Sequence, residues 1–235
     1  MKRYKIANLI VDISAPSERL LRLGVPYECD LKGDADLTVT ITDSLLDELS
    51  KKHPLLSREE LAYLASGTAF YRKAAAFDCV LVHSSSIVYK DKAYIFTADS
   101  GTGKSTHTGL WKKVFGDEVT ILNDDKPVLR KEDGVWYAYG TPWSGKTDLN
   151  VNMKAAVGGI VFLKRGEKNS IRRLDTKIDE VAPLFIKQIS KPSNINNLEK
   201  ILINADEVLT TLPLYEMFCN ISEDAVWTAH NFIVK

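Results

Sequence analysis

The sequence predicts an α/β protein, α+β-like in layout, whose mixed and largely antiparallel core sheet is flanked by helices and carries a glycine-rich loop. Two hairpin patterns predict this arrangement: apolar segments at 85–90 and 92–98 lead into the loop, and others at 127–131 and 135–140 follow it. A doubly wound sheet would instead join its strands by crossover connections of about a dozen residues or more. The short connections therefore indicate antiparallel neighbours.

An N-terminal region, residues 1–76, is predicted to form a small α/β unit ahead of a core over residues 77–235. Within it, the segments 4–13 and 36–42 are rich in β-branched and aliphatic residues, which is typical of strands. No proline- or glycine-rich linker marks a boundary between the two parts. The sequence therefore leaves open both a separate lobe and one continuous domain.

Helices are predicted where a capping residue precedes apolar residues at helical spacing. Ser57 opens a Ser-Arg-Glu-Glu capping box before a helix that runs to about Ala76, and Asp43 or Ser44 could cap a shorter helix to Lys51. The predicted elements beyond the glycine-rich loop, apart from the second hairpin, are a helix at 103–115, a strand at 119–122, a strand at 157–163, helices at 175–190 and 194–205, a strand at 212–218 and a helix at 222–232.

Composition and charge exclude several classes of protein. The 235 residues are 45% hydrophobic and 26% charged, which is ordinary for a globular chain with a buried core. Basic and acidic residues balance at 31 each, which argues against a general nucleic-acid or membrane-surface binder. Three widely spaced cysteines predict neither a disulfide framework nor a zinc site. With no signal-peptide pattern and no apolar run long enough to span a bilayer, a cytoplasmic location is expected.

The glycine-rich loop, Ala98–Thr106 (ADSGTGKST), follows a strand and opens a helix. It matches the phosphate-binding pattern GxxxxGK[ST], with Ala98 at the first glycine position. Glycines let successive backbone N–H groups turn toward an anion, and the start of the helix adds its positive dipole end. The residues predicted to bind nucleotide phosphates are Ser100, Gly101, Thr102, Gly103, Lys104, Ser105 and Thr106.

Catalytic chemistry is predicted from this loop together with an acidic pair. Lys104 could reach the terminal phosphates, and Ser105 offers a hydroxyl where Mg²⁺ is bound in such loops. Asp124 and Asp125 end the next strand, and neighbours in an extended segment point to opposite sides. One carboxylate could therefore face a metal and the other an acceptor hydroxyl. The pattern does not decide which one is the base, and a solvated turn is the alternative.

Two further residues are candidates for catalysis. His83 ends the strand before the first hairpin, so it could lie near the terminal phosphate and influence a carboxylate, or be an ordinary hydrogen-bonded histidine. Lys146 lies in the turn-rich segment Gly140–Asp148, which could close over a transferring phosphoryl group or be a plain surface loop.

The order of these pieces resembles the superfamily of HPr kinase/phosphorylase and phosphoenolpyruvate carboxykinase, specifically its small HPr kinase-related members. The matching pieces are His83 before the hairpin, SGTGKST at 100–106, NDDKP at 123–127 and GTPWSGK at 140–146. In that superfamily the loop lies in an antiparallel-rich sheet, in agreement with the two hairpin patterns. The resemblance does not extend to residues 1–76.

The resemblance also implies roles for single residues. Lys104 and Ser105 would bind phosphates and Mg²⁺, and Asp124 or Asp125 would be the base, with its neighbour on the metal side. His83 would lie beside that base, and Lys146 would be the basic residue of a mobile loop near the phosphate. On this basis Ser105 and Asp125 are the predicted metal ligands.

The prediction is thus a Mg²⁺-dependent kinase that moves the γ-phosphoryl group of ATP or GTP to a hydroxyl. The expected partners are the nucleotide and a hydroxyl-bearing protein, peptide or small molecule, with neither nucleic acid nor membrane. The resemblance implies a tendency to form homo-oligomers. Two alternatives remain: a catalytically silent nucleotide-binding regulatory module, and a carboxykinase-like enzyme that acts on a small carboxylate.

Overall fold

The computed structural model of the chain describes residues 1–174, 178–189 and 195–234. In these ranges the helices are α1 Glu18–Gly24, α2 Asp43–Lys52, α3 Arg58–Ala74, α4 Lys104–Phe115, α5 Ile178–Gln188, α6 Ile195–Thr211 and α7 Glu223–Ile233. The strands are β1 Lys2–Ile6, β2 Leu9–Ser14, β3 Leu37–Thr40, β4 Cys79–Leu81, β5 Ser84–Tyr89, β6 Lys92–Thr97, β7 Val119–Asn123, β8 Val128–Glu132, β9 Val135–Tyr139, β10 Lys154–Arg165, β11 Ser170–Arg173 and β12 Leu214–Cys219.

The large sheet is mixed and largely antiparallel, which confirms the predicted fold class. Its order is β4-β8-β9-β10-β6-β5-β7, and β12 pairs with β10 and with β11. Among the described strands of this sheet, β10 runs parallel to β6 and to β12, and the other pairings are antiparallel. Both predicted hairpins are present, as β5–β6 and β8–β9.

One edge of this sheet gathers the ends of several strands. Since β5 is antiparallel to both β6 and β7, those two strands point the same way and end at the same edge. The glycine-rich loop follows β6, and the acidic pair follows β7. The parallel strands β10 and β12 also end there. The topology therefore places the two predicted motifs side by side, although they are separate in sequence.

The N-terminal residues form a second, three-stranded sheet in the order β1-β2-β3. The prediction of one strand over 4–13 is wrong, because the chain reverses at Ala7 and Asn8, whose φ angles are 50° and 62°. Helix α1 was also not predicted. A single cluster of buried side chains contains residues of this small sheet and of α3 together with Tyr139 and Trp143 from the end of β9 and the loop that follows it.

The remaining elements follow their patterns closely, with shifted ends. Ser57 and Glu60 make both hydrogen bonds of the predicted capping box of α3. Helix α2 begins after an N-cap at Thr42, whose hydroxyl accepts the N–H of Leu45, so the expected cap at Asp43 or Ser44 is wrong. Strand β11 was not predicted.

The two helices predicted for 175–190 and 194–205 correspond to α5 and α6, and α6 continues to Thr211. The ends of these predictions at 175–177, 190 and 194 lie outside the described residues. None of the described helices has the length and apolar character needed to cross a membrane.

Candidate active site

The glycine-rich loop adopts a conformation that only glycine accommodates easily at two positions. Gly101 has a φ of 78° and Gly103 a φ of 118°, both in the left-handed region. No atom lies within 4 Å of a Cβ built on either residue, so the space beside the loop is open. Thr102 donates its backbone N–H to the carbonyl of Asp99 at 3.2 Å, which closes the turn before α4.

Lys104, the first residue of α4, turns back over the loop. Its Nζ donates to the carbonyl oxygen of Ala98 at 3.0 Å, and the residue is only 8% exposed. Burial lowers the pKa of this ammonium below its usual value, and the charges of Asp125 and Asp99 partly oppose that effect. An ammonium group has three N–H donors, so Lys104 keeps donating capacity for an anion in the loop.

The acidic turn after β7 is shaped by Asn123. Its Oδ1 accepts the backbone N–H groups of Asp125 at 2.9 Å and Lys126 at 2.6 Å. Its Nδ2 donates to the carbonyls of Thr141 at 3.0 Å and Trp143 at 3.1 Å. The fully buried asparagine therefore fixes both the acidic turn and the segment that faces it.

Asp124 is held by that facing segment. It accepts the backbone N–H of Gly145 at 2.7 Å on Oδ1 and the hydroxyl of Thr147 on Oδ2. Its residue exposure is 5%. Burial raises the pKa of Asp124, and the hydrogen bond from Gly145 opposes this only in part. A carboxylate in this environment is a stronger base than a solvated one.

Asp125 and His83 form a second acid–base contact. His83 Nε2 lies 3.4 Å from Asp125 Oδ1, while Lys126 Nζ lies 3.3 Å from Oδ2. On its other side, Nδ1 of His83 meets Oε1 of Gln188 at 3.3 Å. Burial and then the charge of Lys104 lower the pKa of His83, and the charge of Asp125 opposes them in part.

These groups line one cleft of about 560 Å³. The predicted residues that it brings together are His83, Ser100, Gly101, Gly103, Lys104, Ser105, Thr106, Asp124, Asp125 and Lys146. Thr102 is the exception, because it lines two neighbouring cavities instead. Its carbonyl accepts a hydrogen bond from Nε of Arg165 at 3.5 Å.

Sequence reasoning missed the wall of the cleft that the N-terminal region supplies. Arg19, Tyr63 and Leu64 line it, together with Ser144, Gly145 and Thr147. No motif surrounds Arg19, and its contact with Gly145 spans 126 residues. Such a contact leaves no local pattern, so only the folded chain reveals it.

A larger cavity of about 840 Å³ lies beyond the glycine-rich loop. It shares Gly101, Gly103 and Thr106 with the cleft, and its other lining residues include Leu110, Leu163, Ile221, Cys219 and His107. Nε2 of His107 accepts the indole N–H of Trp111 at 3.1 Å, so the neutral ring carries its proton on Nδ1. That buried nitrogen has no hydrogen-bond partner among the described residues.

The groups that could hold a metal are few and all oxygen-based. The hydroxyl of Ser105 lies 3.4 Å from the carbonyl of Asp124, and the carboxylate of Asp125 lines the same cleft. Within the described parts of the chain no three His, Cys, Asp or Glu side chains cluster as a metal site. One hydroxyl and one carboxylate suit a Mg²⁺ ion whose remaining ligands are phosphate oxygens and water. They are too few for a metal ion that is held by protein ligands alone.

Comparisons with known proteins give a distant structural likeness. No protein-family model matches the sequence, and no curated protein matches it. Among solved structures, 41 chains match. One is the Hpr(Ser) kinase/phosphatase from Coxiella burnetii, with a TM-score of 0.37 and 12% identity over 64% of this chain and 94% of that one. Because the likeness is distant, the function of the cleft has to be inferred from its own geometry.

Proposed function

We propose that the protein is a Mg²⁺-dependent kinase that transfers the γ-phosphoryl group of ATP or GTP to a hydroxyl. The acceptor would be a serine or threonine of a protein or peptide, or a small molecule. One observation carries the proposal: the glycine-rich loop with Lys104 and the Asp124–Asp125 pair face the same cleft at one sheet edge. Phosphoryl transfer needs chiefly this juxtaposition of phosphate-binding and proton-accepting groups.

The nucleotide would lie along the glycine-rich loop. The backbone N–H groups of Gly101, Gly103 and Lys104 and the start of α4 suit the phosphates, and the adjoining cavity suits the base and ribose. Leu110, Leu163 and Ile221 offer apolar surface for a planar ring.

In the transfer step, Asp124 accepts the proton of the acceptor hydroxyl, whose oxygen bonds to the γ-phosphorus. The bond from that phosphorus to the β–γ bridging oxygen breaks, and the nucleoside diphosphate leaves with those electrons. Lys104 and Lys146 supply positive charge beside the transferring group. Ser105 and Asp125 would hold Mg²⁺, which neutralises phosphate charge when it is bound.

In this scheme His83 contacts Asp125, the carboxylate on the metal side. Its ring lies between two acceptors, with Nε2 3.4 Å from Asp125 Oδ1 and Nδ1 3.3 Å from Gln188 Oε1, and a proton on Nε2 would orient the metal-side carboxylate. Gln188 is itself held in place, because its Nε2 donates to Asp99 Oδ1 at 3.3 Å.

The proposal is tested by incubating the protein with γ-labelled ATP or GTP, Mg²⁺ and a cell extract. Label should move to an acceptor, and both the Lys104→Ala and the Asp124→Asn protein should fail to transfer it. If nucleotide binds but no label moves under any condition, the silent regulatory module is the better description. If the protein instead releases CO₂ from a small carboxylate in a nucleotide-dependent way, a carboxykinase-like activity replaces the kinase.

A further inference from the structure

Arg19 of α1 binds the 144–148 segment, which faces the acidic turn after β7. Its Nε and Nη2 donate to Oδ1 of Asp148 at 2.9 and 2.6 Å, and Nη2 also donates to the carbonyl of Gly145 at 2.5 Å. The side chain of Arg19 is 29% exposed and that of Asp148 28% exposed, so the pair is largely shielded from water. Both charge-assisted bonds go to one oxygen of the Asp148 carboxylate, and the bond to Gly145 adds a second anchor on the backbone of the segment.

Tyr63 of α3 holds the same segment one residue earlier. Its hydroxyl accepts the backbone N–H of Ser144 at 2.8 Å and donates to the carbonyl of Pro142 at 3.1 Å. The guanidinium carbon of Arg19 lies 4.2 Å from the centroid of the Tyr63 ring. The two side chains therefore brace each other while each binds the segment.

The 144–148 segment in turn donates two hydrogen bonds to the carboxylate of Asp124. The N–H of Gly145 and the hydroxyl of Thr147 both donate to that carboxylate, and these two residues lie within the stretch that Arg19 binds at Gly145 and Asp148. Asp148 has a φ of 57°, an unfavourable conformation for this residue that its contacts with Arg19 and Arg22 help to maintain. Lys146 lies between these anchors and lines the cleft.

We propose that Arg19 and Tyr63 are positioning residues, through which the N-terminal region fixes the 144–148 segment so that Asp124 and Lys146 are correctly placed in the cleft. The catalytic consequence of this inference rests on the proposed function. The contacts of Arg19 and Tyr63 with the 144–148 segment, here called the clamp, are a structural claim that stands apart from it. The inference also assigns a role to residues 1–76, which supply part of the cleft wall and are required for transfer.

Hydrogen exchange measured by mass spectrometry tests the clamp without any need for activity. Arg19→Gln should speed amide exchange in a peptide that covers residues 143–148 by about tenfold or more, because charge-assisted bonds to the segment are lost. Arg3→Gln is the matched control: Arg3 also lies in the N-terminal region and binds a carboxylate, that of Asp12, through Nε and Nη2 at 2.7 Å each, but no contact among the described residues joins it to the 144–148 segment. Unchanged exchange in Arg19→Gln, or equal acceleration in both variants, overturns the proposal.

Kinetics then test the positioning role. Arg19→Gln should lower kcat by about 100-fold while nucleotide affinity stays near that of the wild type, because a misplaced base affects the chemical step. Arg19→Lys, which keeps the charge but not the forked geometry, should recover part of the loss. Tyr63→Phe should show a smaller fall. If Arg19→Gln weakens nucleotide binding but leaves kcat unchanged, the clamp is contradicted. Absence of transfer in the wild type contradicts the kinase instead, and the exchange experiment still decides the clamp.

Discussion

The backbone N–H of Gly145 donates to Oδ1 of Asp124 at 2.7 Å and so joins the acidic turn after β7 to the 144–148 segment. The carboxylate of Asp125 instead faces His83 and Lys126. The two adjacent carboxylates therefore occupy different environments. Burial raises the pKa of Asp124, which suits a carboxylate that accepts a proton from a hydroxyl.

This division predicts different behaviour for two isosteric variants. Asp124→Asn should lower kcat by about 100-fold or more, because the base is lost, while nucleotide affinity changes little. Asp125→Asn should instead raise the Mg²⁺ concentration needed for half-maximal rate. Initial rates over a Mg²⁺ titration distinguish the two. If both variants show the same Mg²⁺ dependence and the same kcat, the separate roles are wrong.

Nucleotide should protect one cysteine from alkylation. Cys219 lines the cavity assigned to the base and ribose, whereas Cys29 lies in the N-terminal region away from it. Burial raises the pKa of Cys219, so labelling with N-ethylmaleimide should be run at mildly alkaline pH. ATP or GTP with Mg²⁺ should slow labelling of Cys219 and leave Cys29 unaffected.

Cys79 provides an internal check on the same experiment. It is 2% exposed, and burial raises its pKa to about 12, so it should stay unlabelled in the folded protein with or without nucleotide. Mass spectrometry of the three cysteine peptides gives all the rates at once. Equal protection of Cys29 and Cys219 would show a global effect rather than occupation of the cavity.

A buried carboxylate on β12 predicts a pH-dependent contribution to stability. Glu216, 5% exposed, pairs with Lys164 and with Arg172 Nη2, the latter at 2.6 Å. Burial alone would raise its pKa, but the two basic partners outweigh it and lower the pKa below the usual value. Glu216→Gln should cost on the order of 2 kcal/mol of unfolding free energy at pH 7.

The sign of the pH effect follows from the lowered pKa. The unfolded chain takes up the proton first as pH falls, so the stabilisation is full above about pH 5 and is lost as pH drops through the folded-state pKa. The difference between wild type and Glu216→Gln in urea unfolding should therefore shrink toward acid pH. The exposed pair of Glu48 and Lys52 is the control, and Glu48→Gln should leave the free energy of unfolding unchanged within error. A difference that grows in acid would contradict the pairing.

Local patterns predicted the parts of the fold that local physics determines. The Ser57–Glu60 capping box, the two hairpins and the strand–loop–helix around Lys104 were all readable because their partners are close in sequence. The reversal at Ala7 and Asn8 was not, since alanine seldom adopts a positive φ and a single asparagine with no following glycine is a weak turn signal. The motifs predicted that the acidic pair lies beside the glycine-rich loop, and the strand order around β5 gives the structural reason.

The candidate site was predictable in its catalytic residues and not in their support. Each predicted residue lies in or beside a recognisable motif, and most of them line the cleft. Arg19 and Tyr63 act across 126 and 81 residues on Gly145 and Ser144, respectively, through side chains that any surface helix could carry. Long-range contacts of this kind depend on tertiary packing, which sequence periodicity does not encode.

The central claim is that the glycine-rich loop and Lys104 bind the nucleotide phosphates, and calorimetric titration with Mg²⁺–ATP and Mg²⁺–GTP tests it most directly. Wild type should bind at least one of them, and Lys104→Ala should weaken that binding by about 10- to 100-fold, because a charge-assisted contact to phosphate is removed. Lys113→Ala, an exposed lysine on the same helix that pairs with Glu223, should bind as the wild type does. Equal affinity of the wild-type and Lys104→Ala proteins, or no binding by the wild type, would contradict the account.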